Sequence, residues 1–402
     1  MRMPVVLLLA VAFLAAAGVG GWVAADRLIG DDGGGTVTPT PNRTGTATPA
    51  VSGTPGASGP ALLYREFGSG ADTLWIAPAA SPADRKSVAQ IEHAAEWGVS
   101  ASLSPDGGLV AYLVLASGSQ DPDRGAQAWV LDMRSGEKRH LADGFDLRTR
   151  PLWSMVGDAL VVRRNGPQAE SGDRQITLLH LDPISGDEKE LVAEEALELF
   201  PLGYNDGVLL YARIKGAGTD FVSLGASGDV RGVTSVSNES ARDWHLSPFG
   251  THVAFLARQR TDGRIAMRAF VVELIPGATP QALSDIAPAL NAGDHFNPVW
   301  REDGTVTVGR TPAEGEAAAA AVSVSLVTGT AEVVQPGPAQ GFDVPVSWFP
   351  GGRYLVVRSF EGSSAAEPGR EQLTIIDEES GRKAVGGQGD VEFIGWLPGG
   401  SR

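Results

Sequence analysis

The sequence contains no cysteine. That excludes disulfides, thiolate metal sites, a cysteine nucleophile and a lipid-bearing amino-terminal cysteine. Export stays open, because a large folded core does not need covalent staples. Basic charge is also short: 32 Lys and Arg stand against 48 Asp and Glu, a net charge of −16. A surface of that sign repels phosphate backbones, so nucleic acid is not expected as a partner. The chain lacks a Gly-x-Ser-x-Gly elbow, a His-Glu-x-x-His pair and a Gly-Lys-Ser/Thr phosphate loop. No catalytic residue, cofactor site or metal site is expected on these grounds.

What is present divides the chain into three. Met3 to Ala25 is a charge-free, mostly apolar run, long enough as a helix to cross a bilayer core of roughly 30 Å. Residues 1–27 therefore read as a signal anchor or as a signal peptide cleaved after Val23-Ala24-Ala25. Either leaves the remainder outside the cytoplasm. Residues 28–60 hold Gly, Thr, Pro, Ser and Ala with almost nothing to bury. The pairs Thr38-Pro39, Thr40-Pro41, Thr48-Pro49 and Thr54-Pro55 favour extended, solvated backbone, so this reads as a flexible stalk.

Residues 61–402 repeat. The clearest copy is Leu103-Ser104-Pro105-Asp106-Gly107, followed by Leu109-Val110-Ala111-Tyr112. Aligned on the last glycine, weaker copies end at Gly157, Gly207, Gly250, Gly304, Gly352 and Gly400, separated by 50, 50, 43, 54, 48 and 48 positions. Trp153, Trp300, Trp348 and Trp396 stand at one offset from their glycines. Each turn reads as a hairpin in which Pro fixes the first corner and Gly supplies positive φ. Short β-rich runs follow, and a second turn with Ser-Gly (Ser135-Gly136, Ser185-Gly186, Ser227-Gly228, Ser380-Gly381) introduces a fourth, more polar strand. Four antiparallel strands per 40–50 residues mark a propeller blade.

Leu62-Leu63-Tyr64 and Leu74-Trp75-Ile76 look like second and third strands without a first. Val391-Glu392-Phe393-Ile394 looks like a first strand without a second. Pairing the two gives an all-β, seven-bladed β-propeller, with six or eight blades left open by the uneven 43 and 54 spacings. The Ser-Pro-Asp-Gly hairpin, with Trp before it and an Ala-Phe/Tyr run after it, resembles the TolB-type, WD-like repeat propellers. The resemblance implies that the motif residues are structural. It further implies a fold that serves as a protein-binding platform, an enzyme accessory domain or, in some relatives, an enzyme. Peptidase relatives carry an added α/β-hydrolase domain, and none is expected after Arg402.

The remaining signals are individually explained by structure. His93, His140, His180, His245, His252 and His295 form no close ligand set, although His245 and His252 flank one turn and are placed to approach across two strands. Asp121-Pro122-Asp123-Arg124-Gly125 opens like a calcium loop but lacks its later ligands; it reads as a solvated connection. Glu194, Glu195 and Glu198 read as a solvated loop, and Ala313 to Ala321 as a flexible one. The expected function is a non-catalytic, extracytoplasmic, membrane-tethered scaffold or sensor ectodomain, a monomeric propeller binding a protein or cell-envelope polymer. A metal-dependent, lyase-like carbohydrate enzyme is the alternative. Binding residues are not assigned, beyond the expectation that loops on one face and the channel mouth carry them.

Overall fold

The glycine ladder folds as its turn chemistry requires. In the computed structural model, which describes residues 59–397 apart from 171, 217, 237–240, 262–263 and 387–390, the repeat glycines 107, 157, 207, 250, 304 and 352 all have φ between 68° and 83°. The expected membrane helix, most of the stalk and the turn at Gly400 lie outside the described residues. Among those that are described, no helix is long and apolar enough to cross a membrane.

A buried serine organises the best-kept turns. Ser104 Oγ donates to Asp106 Oδ1 at 2.6 Å and accepts from Leu109 N at 2.9 Å. Ser154 and Ser247 likewise accept from backbone amides four and five residues on. The third turn departs from this pattern. Asp206 and Gly207 have φ of 49° and 77° and join the strands Glu198–Asn205 and Val208–Lys215 directly. Positive φ at both central residues is the tight hairpin favoured by strand twist, which is why serine and proline are absent there.

Seven sheets result, six of four strands and one of five. Blade 1 is composite: Val391–Leu397 pairs antiparallel with Ala61–Glu66, which continues into Ala71–Pro78 and Lys86–Glu92. The first strands of the next six blades are Ser100–Leu103, Leu152–Trp153, Glu198–Asn205, Arg242–Leu246, His295–Trp300 and Gly341–Trp348. First strands of successive blades touch one another from Val391–Leu397 round to Gly341–Trp348, so they are innermost and line the channel. Each runs toward the repeat turn. One face of the disc therefore carries the repeat turns, and the other carries the loops between second and third strands.

The core lies between blades, with an apolar cluster at each neighbouring pair and two between blades 6 and 7. Leu63, Leu74, Val110 and Tyr112 join blades 1 and 2, and Leu62, Tyr64, Tyr354 and Val356 join blades 7 and 1. Tryptophan bridges the inner edges: Trp153 Nε1 donates to Ser102 O (3.2 Å), Trp300 Nε1 to His245 O (2.8 Å) and Trp348 Nε1 to Thr307 Oγ1 (2.8 Å). Trp396 keeps Nε1 unpaired among the described residues but packs on Phe349 and Phe393.

Two expectations need correction. Ala313 to Ala321 is not merely a loop, since Ala318–Ala319 pairs parallel with Gly341 and Phe342 as the fifth strand of blade 7, and Ala319 and Ala321 are buried. Alanine's small side chain lets the segment tuck under its neighbour. In blade 5 the fourth strand is only Gln281–Ala282, followed by helical turns at Leu283–Ile286 and Pro288–Leu290. Pro280 and Pro288 cannot donate to a ladder, and Leu283 and Leu290 fill the core instead.

Burial of this kind makes a direct prediction. Leu63, fully buried at the closing blade, should lose about 2–5 kcal/mol on replacement by Ala, read from urea unfolding. Val327→Ala, at a side chain 95% exposed, should shift stability by less than about 0.5 kcal/mol.

Candidate functional site

Bulges, more than the regular ladder, shape the loop-face mouth of the channel. Pairing shifts register between Arg242 and His245, between Phe296 and Val299, and between Pro345 and Ser347. At two of these positions a non-glycine residue takes positive φ, Asp243 at 55° and Asn297 at 32°. A bulge re-aims a side chain out of the alternating pattern, and the left-handed conformation costs on the order of 1 kcal/mol for a residue with a Cβ. Strain of this kind persists where surrounding structure enforces it.

The two strained residues border one cavity of about 60 Å³, lined by Arg242, Asp243, Phe296, Asn297, Phe342 and Arg358, with Val344, Phe360, Ala365 and Pro368 completing the wall. Phe296, Phe342 and Phe360 form a stack with centroids 5.1 Å apart at each step. Asn297 is fully engaged: its Oδ1 accepts from His245 Nε2 at 3.0 Å and its Nδ2 donates to Pro345 O at 2.6 Å. Arg358 is held by Glu371, with Nη2 to Oε2 at 2.7 Å, and lies over Phe360. Arg242 and Asp243 are served poorly. Arg242 Nε is buried without a hydrogen-bond partner, and its nearest approach to Asp243 is 3.8 Å.

Electrostatics follows from the geometry. Burial pushes the Asp243 carboxyl up to about 6, with Arg242 and Arg358 pulling the other way. Its side chain keeps 13% exposure, which is contact with the channel opening. Burial lowers the His245 imidazole and Arg150 adds to the effect, against the bond to Asn297. Across the mouth, Glu392 is clasped by Arg65, Nε to Oε2 at 2.7 Å, and by Arg150. Burial alone would raise that carboxyl, but the two guanidiniums outweigh it and hold it down to about 2. Arg65 also reaches the fully buried Asp72 at 2.6 Å, beside His93 Nε2 at 3.0 Å.

The residues singled out by sequence fall elsewhere. His245 and His252 do not meet: His245 bonds Asn297 of the next blade, while His252 bonds Thr251 Oγ1 at the turn. The residue across from His245 is Ala254. His295 is a core staple, accepting from Ala269 N and donating to Leu290 O, and burial lowers it to about 4. Among the described residues no three His, Asp or Glu side chains are grouped to hold a metal ion. Asp121 caps its own turn through the amides of Asp123 and Arg124, and Asp123 faces Arg148 and Arg174. The acidic trio is not a loop. Glu194 and Glu195 lie on Glu188–Ala196, and Glu198 opens Glu198–Asn205. Glu194 bonds Tyr211 and Arg213, and Glu198 pairs with the buried Arg163. Sequence reasoning missed Asp243, Arg242 and Asn297. Their only local signal was a polar cluster at the start of an inner strand.

The opposed shifts predict opposed pH behaviour. Asp243 binds its proton more tightly folded than unfolded, so ionising it erodes stability as pH rises from about 4 to about 6. Asp243→Asn should therefore stabilise the fold at pH 7.5, by up to about 3 kcal/mol, and leave it unchanged below pH 4. Glu392 contributes stability above its unfolded value near 4.5, lost as pH falls toward 2. Glu392→Gln should destabilise at pH 7.5, less so at pH 3, and approach neutrality only below about pH 2. Denaturant midpoints across pH check both.

No family model and no curated protein matches the sequence. Solved structures do. The acylaminoacyl peptidase of Pyrococcus horikoshii aligns with a TM-score of 0.51 and 12% identity over 79% of this chain and 48% of that one. The β-propeller domain of the Trilobed protease from Pyrococcus furiosus, described as having an open velcro topology, aligns with a TM-score of 0.50 and 12% identity over 79% and 88%. TolB from Acinetobacter baumannii aligns with a TM-score of 0.48 and 15% identity over 86% and 68%. The chain thus spans about half the length of the peptidase it matches. At these identities the likeness establishes the fold alone, a β-propeller, and the seven sheets of this chain give its blade number.

Proposed function

We propose that this protein is an extracytoplasmic, membrane-tethered scaffold or sensor ectodomain that binds a protein or envelope polymer at the loop-face mouth of its channel. The observation that carries the reading is the pair Arg242 and Asp243, set in a strained bulge beside an aromatic wall, 3.8 Å apart and with Arg242 Nε buried without a hydrogen-bond partner. Buried polar groups are normally satisfied, and exceptions in a concave mouth are where a ligand supplies the missing bonds. The apolar run Met3 to Ala25 and the Thr/Pro-rich segment after it support the tether. Ala61 pairs with Leu397 at the repeat-turn end of blade 1, so a tether joins the face opposite the mouth and leaves the mouth open to partners. The lyase-like alternative asks for three metal ligands at one mouth, and no observation favours it.

Two measurements test the reading. The full-length chain, used as bait in the producing cell's envelope fraction after mild crosslinking, should capture a reproducible partner. Ala365→Arg, which fills the mouth from a loop, should reduce that capture about tenfold or more, and Phe249→Asp on the repeat-turn face should not. Loss with Phe249→Asp alone would place binding on the wrong face and sink the proposal. Separately, full-length protein should resist alkaline extraction from membranes and be protease-accessible from outside the cell. A soluble cytoplasmic pool would overturn the tethered reading.

A further inference from the structure

Arg242 and Asp243 differ from the other acid–base pairs around the channel. Arg65 meets Asp72 at 2.6 Å, Arg382 meets Asp343 at 2.8 Å and Arg358 meets Glu371 at 2.7 Å. Arg242 and Asp243 stop at 3.8 Å, beyond hydrogen-bond reach. Every other polar group on the cavity wall is already engaged: Asn297 by His245 and Pro345, Arg358 by Glu371. The fold thus leaves the Arg242 guanidinium and the Asp243 carboxylate side by side as an ion pair with no hydrogen bond between them, both mostly out of water, and hydrogen-bonding capacity left unused in that setting is costly.

Three constraints narrow the occupant. The cavity of about 60 Å³ is four or five times the ~12 Å³ that one water needs by this measure, which admits about five or six non-hydrogen atoms. Charge is the second constraint. Arg242 balances Asp243 and Arg358 balances Glu371, so a lone cation would face Arg242 and a lone anion would face Asp243. A group carrying both charges offends neither. The third is strength, since charge-assisted bonds to both residues exceed those of a neutral amide.

We propose that the mouth cavity binds a small α-amino acid zwitterion, its carboxylate accepting from the Arg242 guanidinium and its ammonium donating to Asp243. A hydrogen or methyl side chain then rests against Phe296, Phe342 and Val344, which makes glycine and alanine the fitting sizes. The assignment rests on the mouth being the binding face and adds the ligand's chemistry. It fits the sensor form of that reading, with occupancy of the cavity setting the shape a partner meets.

Calorimetric titration of the full-length protein with glycine and with L-alanine tests it. One saturable site is expected, and methylammonium, acetate and acetamide should each bind about tenfold more weakly or worse. Asp243→Asn and Arg242→Met should each weaken glycine binding at least about tenfold while the unfolding transition remains cooperative. Ala365→Arg, which leaves the polar pair intact, should abolish binding by occupying the space. Absence of saturation, acetamide binding as tightly as glycine, or binding indifferent to Asp243→Asn overturns the assignment. If glycine fails while partner capture still depends on Ala365→Arg, only the ligand is wrong. If both fail, the mouth is not the binding face.

Discussion

The ring closes through seven residues. Val391–Leu397 lies against Ala61–Glu66 in antiparallel register, and Arg65 and Glu392, 327 positions apart, are bonded across it. Without this pairing blade 1 lacks its inner strand, and its apolar faces toward blades 2 and 7 are left half-formed. Closed, the ring turns the free inner edges of its blades toward the channel, away from another chain. The polar network at this seam is anchored on the fully buried Asp72, which accepts from Arg65, from the Gly68 and Val99 amides and lies beside His93. Backbone pairing, apolar packing and buried charge all converge on one junction.

Within that closed ring register shifts fall mainly where first strands meet second strands and where third strands meet fourth, and the inner ones shape the channel. A regular inner strand would send alternate side chains into the channel and leave no reason for one polar residue to differ from the next. The bulges at Arg242 to His245 and at Phe296 to Val299 break the alternation. They bring Asp243 and Asn297 to the same opening from neighbouring blades. The outer strands carry the more exposed side chains and the regular second and third strands carry the core. Stability and recognition are thereby assigned to different radii of the same disc.

The fold was legible because its determinants are local and repeated. Gly107 through Gly352 mark turns that need positive φ, and Trp153, Trp300 and Trp348 mark inner strands that must reach the preceding blade. The composite blade was legible because Leu62-Leu63-Tyr64 and Val391 to Ile394 are each half of something. The site was not. Asp243 sits in Ala-Arg-Asp-Trp-His, which at period two is an ordinary strand, and a bulge leaves no mark in that pattern. Its importance comes from Arg358, Phe342 and Asn297, more than fifty positions away, which only the folded ring places beside it. The alanine-rich stretch at 313–321 misled for the opposite reason: alanine carries no strand signal, yet small size is what lets Ala319 and Ala321 lie buried beneath the next blade.

The tryptophan bridges run in one sense round the ring. Each indole donates to the blade before it in the chain, never to the blade after it, in all three cases where a partner is present. A chain made from its amino terminus can therefore lock each new blade onto one already in place. The exception is the seam, where the first strands made, Ala61–Glu66 and its partners, wait for the last. Throughout synthesis the oldest part of the propeller presents an unpaired edge, and it is completed only by the youngest. The protein's exposure to misassembly is set by the time it takes to finish the chain, more than by the strength of any one blade.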